Sequence, residues 1–568
     1  MSNISKVLFC SLIAVGIAGC DHAPERSKYG IPSGGTQVQL PSTAGDSSVQ
    51  DGALKSSAGL VGATPLRRLT NNDYTNSVTD LVGDISSLNI QLLKESSSLI
   101  YPFTNHATEQ YVPTALANQY FVAAEMIAAA TFKDKTRSNK ILTCTPLKGT
   151  EETCAAIVLK ALATKAFRRL ATAEQVSGLL EIWRAGFKAV DFNTGVEWAL
   201  AAVLQAPEFL YRIEMGTAPA APGVVALDSW DMANRLSYLI WNSAPDQMLM
   251  DAAKNDKLKT VADVSAQVDR MLVMPGAHDM VIHFHDQWLG LETIDTVQKD
   301  PKSFPNFNKT IALAMRDEVR NFVEDAVWNG DSKLQTLLSG QYTYLNKTLG
   351  DYYGIKGLGA TFTKMSENKL GGRPASGILT MAGMLAVRSN ANDTSPTRRG
   401  AFVRSALFCQ TMPNPPDNAI FTSPVSKPNM TRRDLIEAHA TNAACAACHN
   451  LMDPIGLAFE NIDAAGVYRD KESGKTIDAS AELFATDVDG KFSGPSELAN
   501  KMSVSKKVAD CVATHWFQFA YGRDPIASDA PVVKELGTRL TTTGIISAIK
   551  YLTQTPQFFY RTVAEGAK

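Results

Sequence analysis

The sequence predicts a mainly α, multidomain protein: a helical body followed by a small C-terminal segment that holds a Cys-x-x-Cys-His motif. Apolar residues recur with a helical period through most of the chain. The length of 568 residues, 45% of them hydrophobic, is enough for several separate cores. The formal net charge is only −2 and no basic tract stands out, so we predict no nucleic-acid partner.

Residues 1–19 have the features of an export signal. Lys6 precedes an apolar run that is shorter than the about 20 residues needed to span a bilayer. The run ends in Ile17-Ala18-Gly19-Cys20, which is typical of bacterial lipoproteins with a lipidated first cysteine. A plain signal peptide with an incidental cysteine is the alternative. Asp21 resembles the inner-membrane retention signal of enteric lipoproteins. We expect a periplasmic or cell-envelope protein that Cys20 anchors to a membrane.

The rest of the chain divides into five predicted regions. Residues 20–60 are rich in Ser, Gly, Pro, Thr and Asp, the composition of a flexible tether. The other four regions are, in chain order, N-terminal helical domains at 61–220, a central helical domain at 221–370, the motif-bearing segment at 371–475 and a C-terminal helical domain at 476–568.

Capping residues and prolines mark the predicted helices. Thr70 is a predicted N-cap for a helix that runs through Leu81, and Thr172 starts another helix. The other predicted helices are 115–131, 155–170, 198–211, 230–241, 261–274, 308–328, 431–440, 496–521 and 544–552. Residues 487–490 slightly resemble the start of a calcium loop but lack its later ligands, so they predict a hairpin turn.

Two distant stretches have nearly the same sequence. Gln205 to Arg212 reads Gln-Ala-Pro-Glu-Phe-Leu-Tyr-Arg, and Gln554 to Arg561 reads Gln-Thr-Pro-Gln-Phe-Phe-Tyr-Arg. The interpretation we favour is a shared way to end a helix, in which proline restarts the chain and the aromatic residues fill the edge of a core. A duplicated structural unit is the alternative.

Three histidines cluster beside aromatic residues in the central region. His283 and His285 stand at positions i and i+2, which do not face each other on a helix. We therefore interpret them, together with His278, as polar or core residues of an aromatic helix and not as joint ligands of one metal ion.

Cys445-Ala-Ala-Cys448-His449 is the strongest chemical signal in the chain. C-x-x-C-H is the attachment pattern of a c-type haem, in which two thiols bond the porphyrin and the histidine binds its iron. A small disulfide loop and half of a zinc site are the alternatives. Zinc would need a second ligand pair, and the sequence has no second C-x-x-C. We predict one haem c bonded to Cys445 and Cys448, with His449 as the proximal iron ligand.

The remaining cysteines fit an oxidising compartment. Of the eight cysteines, four remain once those of the signal, the lipid site and the haem motif are set aside. Cys144 and Cys154 close a short polar loop and are a predicted disulfide. Cys409 and Cys511 pair by elimination, which would tie the segment before the haem motif to the C-terminal helices.

The sixth position of the haem iron has three candidates in the sequence. His439 is ranked first, and Met502 and Met412 are the alternatives. A methionine ligand would raise the reduction potential relative to a second histidine. A helix-end histidine that hydrogen-bonds to a propionate or to the backbone is the other interpretation of His439. An empty iron position would allow peroxide or another small ligand to bind.

Residues on both sides of the motif have predicted roles. Arg398 and Arg399 suit bidentate contacts with the haem propionates, because guanidinium groups match carboxylates. A surface pair near a helix start is the other interpretation of these arginines. Asp453-Pro454 is predicted to end the haem helix, because the residue before proline disfavours helical geometry.

Several groups of residues also recur together in one known family. They are Arg67-Arg68-Leu69-Thr70 with Asp73-Tyr74 and Asp80-Leu81-Val82-Gly83, Ala166-Phe167-Arg168-Arg169, Thr394-Ser395-Pro396 with Arg399-Gly400, His439 through Gly466, and Tyr521-Gly522-Arg523. Together they resemble the planctomycete-type cytochrome c family of large envelope proteins, built from consecutive domains of unknown function. The resemblance spans nearly everything after the tether. It implies a haem c protein of the cell envelope and leaves the biochemical role open.

The predicted function is the transfer of single electrons through one covalent haem to and from a redox partner protein of the envelope. One alternative is a haem-dependent oxidoreductase, either peroxidase-like or the electron-accepting part of a dehydrogenase, because the region before residue 371 exceeds what one haem requires. The other is a partner-binding scaffold with a structural haem. The sequence assigns no catalytic residue, so the question of enzyme activity stays open.

Overall fold

The computed structural model describes residues 54–55, 57, 61–412, 429–440 and 443–563, except for the side chains of 218, 439, 440, 443–445 and 447. The predicted signal peptide, Cys20 and nearly all of the predicted tether lie outside these residues. The described chain is mainly α-helical, as predicted, with small sheets between the helices. None of the helices in these described ranges has the length and apolar character that crossing a membrane requires.

The N-terminal part of the body is a helical bundle with its own core. Its α-helices are α1 (Asn71–Val82), α2 (Thr114–Lys133), α3 (Lys135–Ile141), α4 (Glu151–Ala166), α5 (Ala173–Ala189), α6 (Phe192–Val203) and α7 (Pro207–Leu210). Thr70 caps α1 and Thr172 caps α5, as predicted, and each forms a capping box that satisfies two backbone N–H groups. Tyr74, Trp183 and Phe209 are among the buried aromatic residues of this core.

The central part continues the helical body. Its α-helices are α8 (Ser229–Ile240), α9 (Gln247–Lys254), α10 (Val261–Leu272), α11 (Pro275–Trp288), α12 (Lys309–Glu324), α13 (Leu334–Ser339), α14 (Lys347–Tyr353) and α15 (Ala382–Ala386). Asp228, Asp246 and Thr260 cap α8, α9 and α10 by accepting hydrogen bonds from backbone N–H groups in the first turn.

The last third contains the motif and the C-terminal helices. Its α-helices are α16 (Pro396–Phe402), α17 (Arg432–Ala440), α18 (Ala443–Leu457), α19 (Gly494–Ser503), α20 (Lys506–Tyr521), α21 (Ala530–Thr542), α22 (Ile545–Leu552) and α23 (Pro556–Phe559). The ring of Phe284 on α11 stacks on Trp516 of α20 with a centroid distance of 3.8 Å. Central and C-terminal helices therefore share one large hydrophobic core.

The strands are short and pair antiparallel. They are β1 (Arg67–Arg68), β2 (Tyr211–Arg212), β3 (Ala218–Ala221), β4 (Val224–Ala226), β5 (Tyr342–Leu345), β6 (Thr363–Ser366), β7 (Lys471–Glu472), β8 (Lys475–Thr476), β9 (Ser480–Leu483), β10 (Gly490–Ser493) and β11 (Tyr560–Thr562). β1 pairs with β2, β5 with β6, β7 with β8 and β9 with β10, while β4 lies between β3 and β11. The predicted hairpin turn at 487–490 is confirmed, because it joins β9 to β10.

Three predicted helices have different bounds in the structure. The predicted helix 155–170 stops at Ala166, and Arg168 just beyond it has a left-handed backbone with φ of 60°. The predicted helix 198–211 begins earlier as α6 and is interrupted before Pro207, because proline has no N–H to continue the helix. The predicted helix 496–521 is two helices, because Ser505 caps a new one.

The two stretches with similar sequences have the same local structure. Each forms a one-turn helix that begins with proline and passes into a strand, α7 into β2 and α23 into β11. The two stretches therefore do share a way to end a helix, which both interpretations expect. The similarity also extends further, since three consecutive packed helices precede each ending. We name residues 151–212 the first unit and residues 506–562 the second unit, an arrangement that supports the duplication alternative.

Candidate functional site

Cys448 and His449 lie on α18 with half-buried side chains. Cys448 and His449 follow Cys445 by three and four positions, which is about one turn of the backbone of α18. The side chains of Cys445 and of the predicted sixth ligand His439 lie outside the part of the chain that the structure describes. The helix thus has the spacing that a C-x-x-C-H attachment needs.

Asp453 follows His449 by one helical turn and faces its imidazole. The Oδ2 atom of Asp453 is 2.7 Å from Nδ1 of His449, and Oδ1 accepts a hydrogen bond of 2.7 Å from the hydroxyl of Thr397. Asp453 is only 3% exposed, so the contact is shielded from water. Engagement of Nδ1 by a carboxylate makes Nε2 the ring nitrogen that is suited to binding a metal ion.

Helices α16 and α18 cross at two glycines. A Cβ atom on Gly400 would lie 1.8 Å from the carbonyl oxygen of Met452, and a Cβ atom on Gly456 would lie 1.8 Å from the carbonyl oxygen of Pro396. Backbone therefore touches backbone at both points, which only glycine allows. This close crossing brings Thr397 on α16 within hydrogen-bond distance of the carboxylate on α18.

The prediction that Asp453-Pro454 ends the haem helix is wrong. α18 continues through Pro454 to Leu457. A proline inside a helix costs roughly 3 kcal/mol, because a hydrogen bond is lost and the ring crowds the preceding turn. Ile455 is fully buried and Gly456 packs against the backbone of α16, and these contacts offset the cost.

The structure does not support the predicted propionate contact of Arg399. Its guanidinium is fully buried, and burial lowers its pKa to about 10. It donates hydrogen bonds to the carbonyl oxygens of three residues after α18, namely Phe459 at 3.1 Å, Ile462 at 2.8 Å and Asp463 at 2.9 Å. Arg399 therefore holds the turn that follows the motif-bearing helix.

Arg398 is exposed on the same helix and has a different environment. Burial and the charge of Arg398 lower the pKa of Arg388 to about 9. Burial and the charges of Arg399 and Arg398 lower the pKa of Lys299 to about 8. This concentration of positive charge favours an anionic group beside Arg398, and its propionate contact stays a prediction.

The three candidates for the sixth iron position have different surroundings. Met502 is fully buried in the hydrophobic core at the end of α19, so it would have to leave that core to bind a metal. Met412 is half-buried and directly precedes residues 413–428, which the structure does not describe. The ranking of His439 before these two methionines stays a prediction.

The predicted cysteine pairs are disulfides in the structure. Cys144 and Cys154 have a Cα–Cα distance of 5.6 Å, and Cys409 and Cys511 have a Cα–Cα distance of 5.4 Å. The first closes the loop before α4. The second joins Cys409, which directly follows Phe408, to Cys511 on helix α20.

One of these disulfides belongs to a Cys-Cys-His group. Nε2 of His515 lies 3.9 Å from Sγ of Cys409 and 3.7 Å from Sγ of Cys511, and the ligand atoms all lie within 4.8 Å of one another. Nε2 also lies 3.0 Å from the carbonyl oxygen of Ala406. Because the disulfide uses both sulfur atoms, we interpret the group as a structural cross-link and not as a metal site.

A cleft of about 1380 Å³ lies between the N-terminal and central helices. One wall comes from α1, α3 and α4, and the other comes from α8, α9, α11 and α12. Its lining combines Trp230 and Trp241 with acidic, basic and apolar side chains. Sequence reasoning missed this cleft, because its walls come from segments that are far apart in the chain.

His283 lies in the lining of this cleft beside a carboxyl group. Its Nδ1 is 3.7 Å from Oε1 of Glu292, and its Nε2 is 3.0 Å from the amide nitrogen of Gln287. Burial lowers the pKa of His283, whereas burial and the charge of Asp286 raise the pKa of Glu292 to about 7. A neutral imidazole beside a carboxyl that titrates near neutral pH is suited to general acid–base chemistry.

The three clustered histidines have separate environments. His285 is buried, and its Nδ1 is 2.7 Å from the carbonyl oxygen one turn earlier. Nδ1 of His278 is 2.5 Å from Oε1 of Glu324 on α12. These contacts agree with the interpretation that His278, His283 and His285 do not bind one metal ion together.

Comparison with known families gives five consecutive matches. In chain order they are protein of unknown function (DUF1587) at 67–133, (DUF1595) at 154–214, (DUF1592) at 227–355, (DUF1588) at 375–472 and (DUF1585) at 489–558. The fourth range contains α16 and α18 with the C-x-x-C-H motif. No curated protein and no solved structure matches the chain.

Proposed function

This chain carries, one after another, the five domains that are associated with planctomycete-type cytochromes c, and on that premise we propose that it is a c-type cytochrome lipoprotein of the bacterial cell envelope. One haem c is bonded to Cys445 and Cys448, and the protein passes single electrons between a donor and an acceptor in the envelope. Cys20 carries the lipid that anchors the chain to a membrane.

The observation that carries this proposal is the donor set on α18. Cys448 and His449 are half-buried at consecutive positions of the helix, and the buried carboxylate of Asp453 lies 2.7 Å from Nδ1 of the imidazole. This chemistry fits a c-type haem, because the imidazole is oriented for binding through Nε2. When bound, haem c supplies a one-electron couple at its iron. The chain would hold the haem through the two thiols and would offer its iron the imidazole of His449 that Asp453 orients.

Covalent attachment is the direct test of the proposed haem. The full-length protein should be exported by a strain that assembles cytochromes c, then denatured and extracted with acidic acetone. We expect the colour to stay with the polypeptide and the mass to increase by one haem. Replacing both Cys445 and Cys448 with Ser should remove the haem, whereas Cys144→Ser with Cys154→Ser should leave it attached. Extraction of all colour from the wild-type protein would overturn the proposal.

The lipid anchor has a separate test. We expect wild-type protein in the membrane fraction, and Cys20→Ser protein in the soluble envelope fraction with its haem retained. Mass spectrometry of the N-terminal peptide should show a diacyl or triacyl cysteine at position 20. A wild-type N-terminus that lacks any acyl group would contradict the anchored location and leave the haem proposal intact.

The cleft favours a second candidate function, a haem-dependent oxidoreductase that oxidises a small molecule by two electrons, one passing to the ferric haem of each of two protein molecules. The supporting observation is the pairing of His283 with Glu292 at a cleft large enough for a small substrate. The test is anaerobic mixing of oxidised protein with a panel of sugars, alcohols and aldehydes while the visible haem band is followed. Reduction by one compound that His283→Ala and Glu292→Gln both slow at least tenfold would support this function. Absence of reduction by the whole panel would favour simple electron transfer.

A further inference from the structure

We propose that Asp453 is a positioning residue that lowers the reduction potential of a haem bound at His449. This inference rests on the proposed function, because it concerns the iron ligand of that same site. Its basis is the contact between a buried carboxylate and the imidazole Nδ1, at 2.7 Å. A histidine ligand whose other N–H is hydrogen-bonded to a carboxylate becomes a more basic ligand.

The geometry of α18 makes the contact persistent. Asp453 is four residues after His449, so the two side chains lie on the same helical face. The second carboxylate oxygen is held by the hydroxyl of Thr397, whose helix begins at the capping residue Ser395. The carboxylate is therefore held from two helices, and its rotation away from the imidazole would break both hydrogen bonds.

The burial of the carboxylate strengthens its influence. Asp453 is 3% exposed, and a charge in a poorly solvated site acts more strongly on its neighbours than a charge in water. A negative charge beside the imidazole favours the Nδ1–H tautomer, with the lone pair on Nε2. Because a stronger donor stabilises the ferric state more than the ferrous state, the potential falls.

The chain itself offers a contrast to Asp453. His285 on α11 has its Nδ1 at 2.7 Å from a backbone carbonyl oxygen, a neutral acceptor. His449 has a carboxylate in the same role and at the same distance. A neutral acceptor orients an imidazole without adding charge. The charge on Asp453 is therefore not needed to orient the imidazole of His449.

The test is the midpoint potential of the full-length matured protein, measured by spectroelectrochemistry for wild type and Asp453→Asn. The amide oxygen of Asn can still accept from Nδ1 but carries no charge. We expect the equilibrium constant for reduction to rise tenfold to hundredfold, where each tenfold corresponds to about 59 mV for one electron. Asp453→Glu keeps the charge and should shift the potential less than Asp453→Asn. Asp487→Asn, on the β9–β10 turn, is the control and should leave the potential unchanged.

If Asp453→Asn fails to mature, Thr397→Val and the ¹⁵N shifts of His449 supply a second variant and a second measurement. Thr397→Val retains the charge but removes one hydrogen bond to the carboxylate, and it should raise the potential by a smaller amount. In apoprotein labelled with ¹⁵N-histidine, the nitrogen shifts of His449 should report the Nδ1–H tautomer. A wild-type protein without covalent haem would defeat the proposed function. Covalent haem with an unchanged potential in Asp453→Asn, or in Thr397→Val where that is the variant that matures, would defeat this inference alone.

Discussion

In both units a buried arginine binds the carbonyl oxygens of the final one-turn helix and the strand that follows it, a segment we call the corner. The arginine comes from a different part of the chain in each unit. In the first unit, Arg168 donates to the carbonyl oxygens of Glu208 at 2.8 Å, Phe209 at 3.0 Å and Tyr211 at 2.8 Å. In the second unit, Arg235 donates to those of Gln557 at 2.7 Å, Phe558 at 2.8 Å and Tyr560 at 3.4 Å. These carbonyls occupy matching positions in the two similar stretches, so each corner is closed by one buried guanidinium.

The two arginines differ in where they come from. Arg168 belongs to the first unit itself and has a left-handed backbone, with φ of 60°. The matching position of the second unit is Gly522, with φ of 63°, between an aromatic residue and an arginine as in the first unit. Arg235 comes from α8 in the central part and also pairs with Glu214 at 2.7 and 2.6 Å.

The difference shows that the corner requires a hydrogen-bond donor but not one from a fixed position in the sequence. Buried carbonyl oxygens need hydrogen-bond donors, and a guanidinium supplies several from one side chain. The corner does not fix the position of that side chain in the sequence. The first unit is therefore closed from within, whereas the second unit is closed by α8 and so is tied to the central part of the molecule.

The largest expected effect comes from Arg235→Met. This substitution leaves Glu214 buried without its main cation, and removal of one partner from a buried ion pair typically costs about 3–5 kcal/mol. We expect hydrogen exchange, read by mass spectrometry, to rise in Pro556–Thr562 and in β4, which pairs with β11. The control is Arg184→Met, which breaks an exposed pair with Glu152 and should leave the stability nearly unchanged. Unchanged exchange in Pro556–Thr562 would contradict the docking role of Arg235.

The same ion pair predicts a pH dependence. Burial raises the pKa of Glu214, but the charges of Arg235, Arg67 and Arg212 outweigh it and lower the pKa from 4.5 to about 2. A carboxylate with a lowered pKa stabilises the fold above its unfolded pKa and loses that contribution as pH falls through the folded value, which amounts to about 3 kcal/mol between pH 4.5 and 2.

Urea unfolding of wild type and Arg235→Met at several pH values measures this contribution. The difference in unfolding free energy between the two proteins should be largest above pH 4.5 and should shrink towards pH 2. Taking the difference cancels the carboxylates that the substitution does not touch. A difference that stays constant from pH 5 to pH 2.5 would show that the Arg235 pair does not hold Glu214 ionised.

Local signals in the sequence were sufficient to predict much of the fold. Features that depend on neighbouring residues are present in the structure as predicted. They are the helix caps at Thr70 and Thr172, the proline-started endings and the hairpin turn at 487–490. The arginine of the second unit could not be predicted, because Arg235 meets Gln557 across 322 positions. The cleft was missed for the same reason, since no local pattern marks its two walls.

The motif-bearing helix shows the same limit at the candidate site. C-x-x-C-H was visible as a pattern, and an acidic residue at i+4 from His449 was a signal that could have indicated Asp453. The neighbouring Asp453-Pro454 predicts a helix end, because the residue before proline disfavours helical geometry. Tertiary packing at Gly456 overrode that preference. The burial of Arg399 could not be predicted, because the carbonyl oxygens that it binds lie 60 or more residues away.

A smaller effect is expected from Gly522→Ala, which tests the left-handed position of the second unit. A side chain at a left-handed position costs roughly 1–2 kcal/mol. The new Cβ would also lie 2.6 Å from Cδ of Arg67 and 2.8 Å from the carbonyl oxygen of Asn105. The matched control is Gly354→Ala, where φ is 81° and nothing lies within 4 Å of the new atom. Urea unfolding should show a larger loss for Gly522→Ala than for Gly354→Ala, and equal losses would mean that the backbone contact carries no cost.

The smallest expected effect separates the two roles of Arg168. Arg168→Ala and Arg168→Gly remove the same guanidinium, so both lose the hydrogen bonds to the corner carbonyls. Glycine also relieves the left-handed strain, as it does naturally at Gly522, so Arg168→Gly should be more stable than Arg168→Ala by about 1 kcal/mol. Urea unfolding followed by tryptophan fluorescence measures the difference, and Trp183 reports on this core. If Arg168→Gly is the less stable variant, the left-handed backbone carries little strain, and the two units differ only in the origin of their arginines.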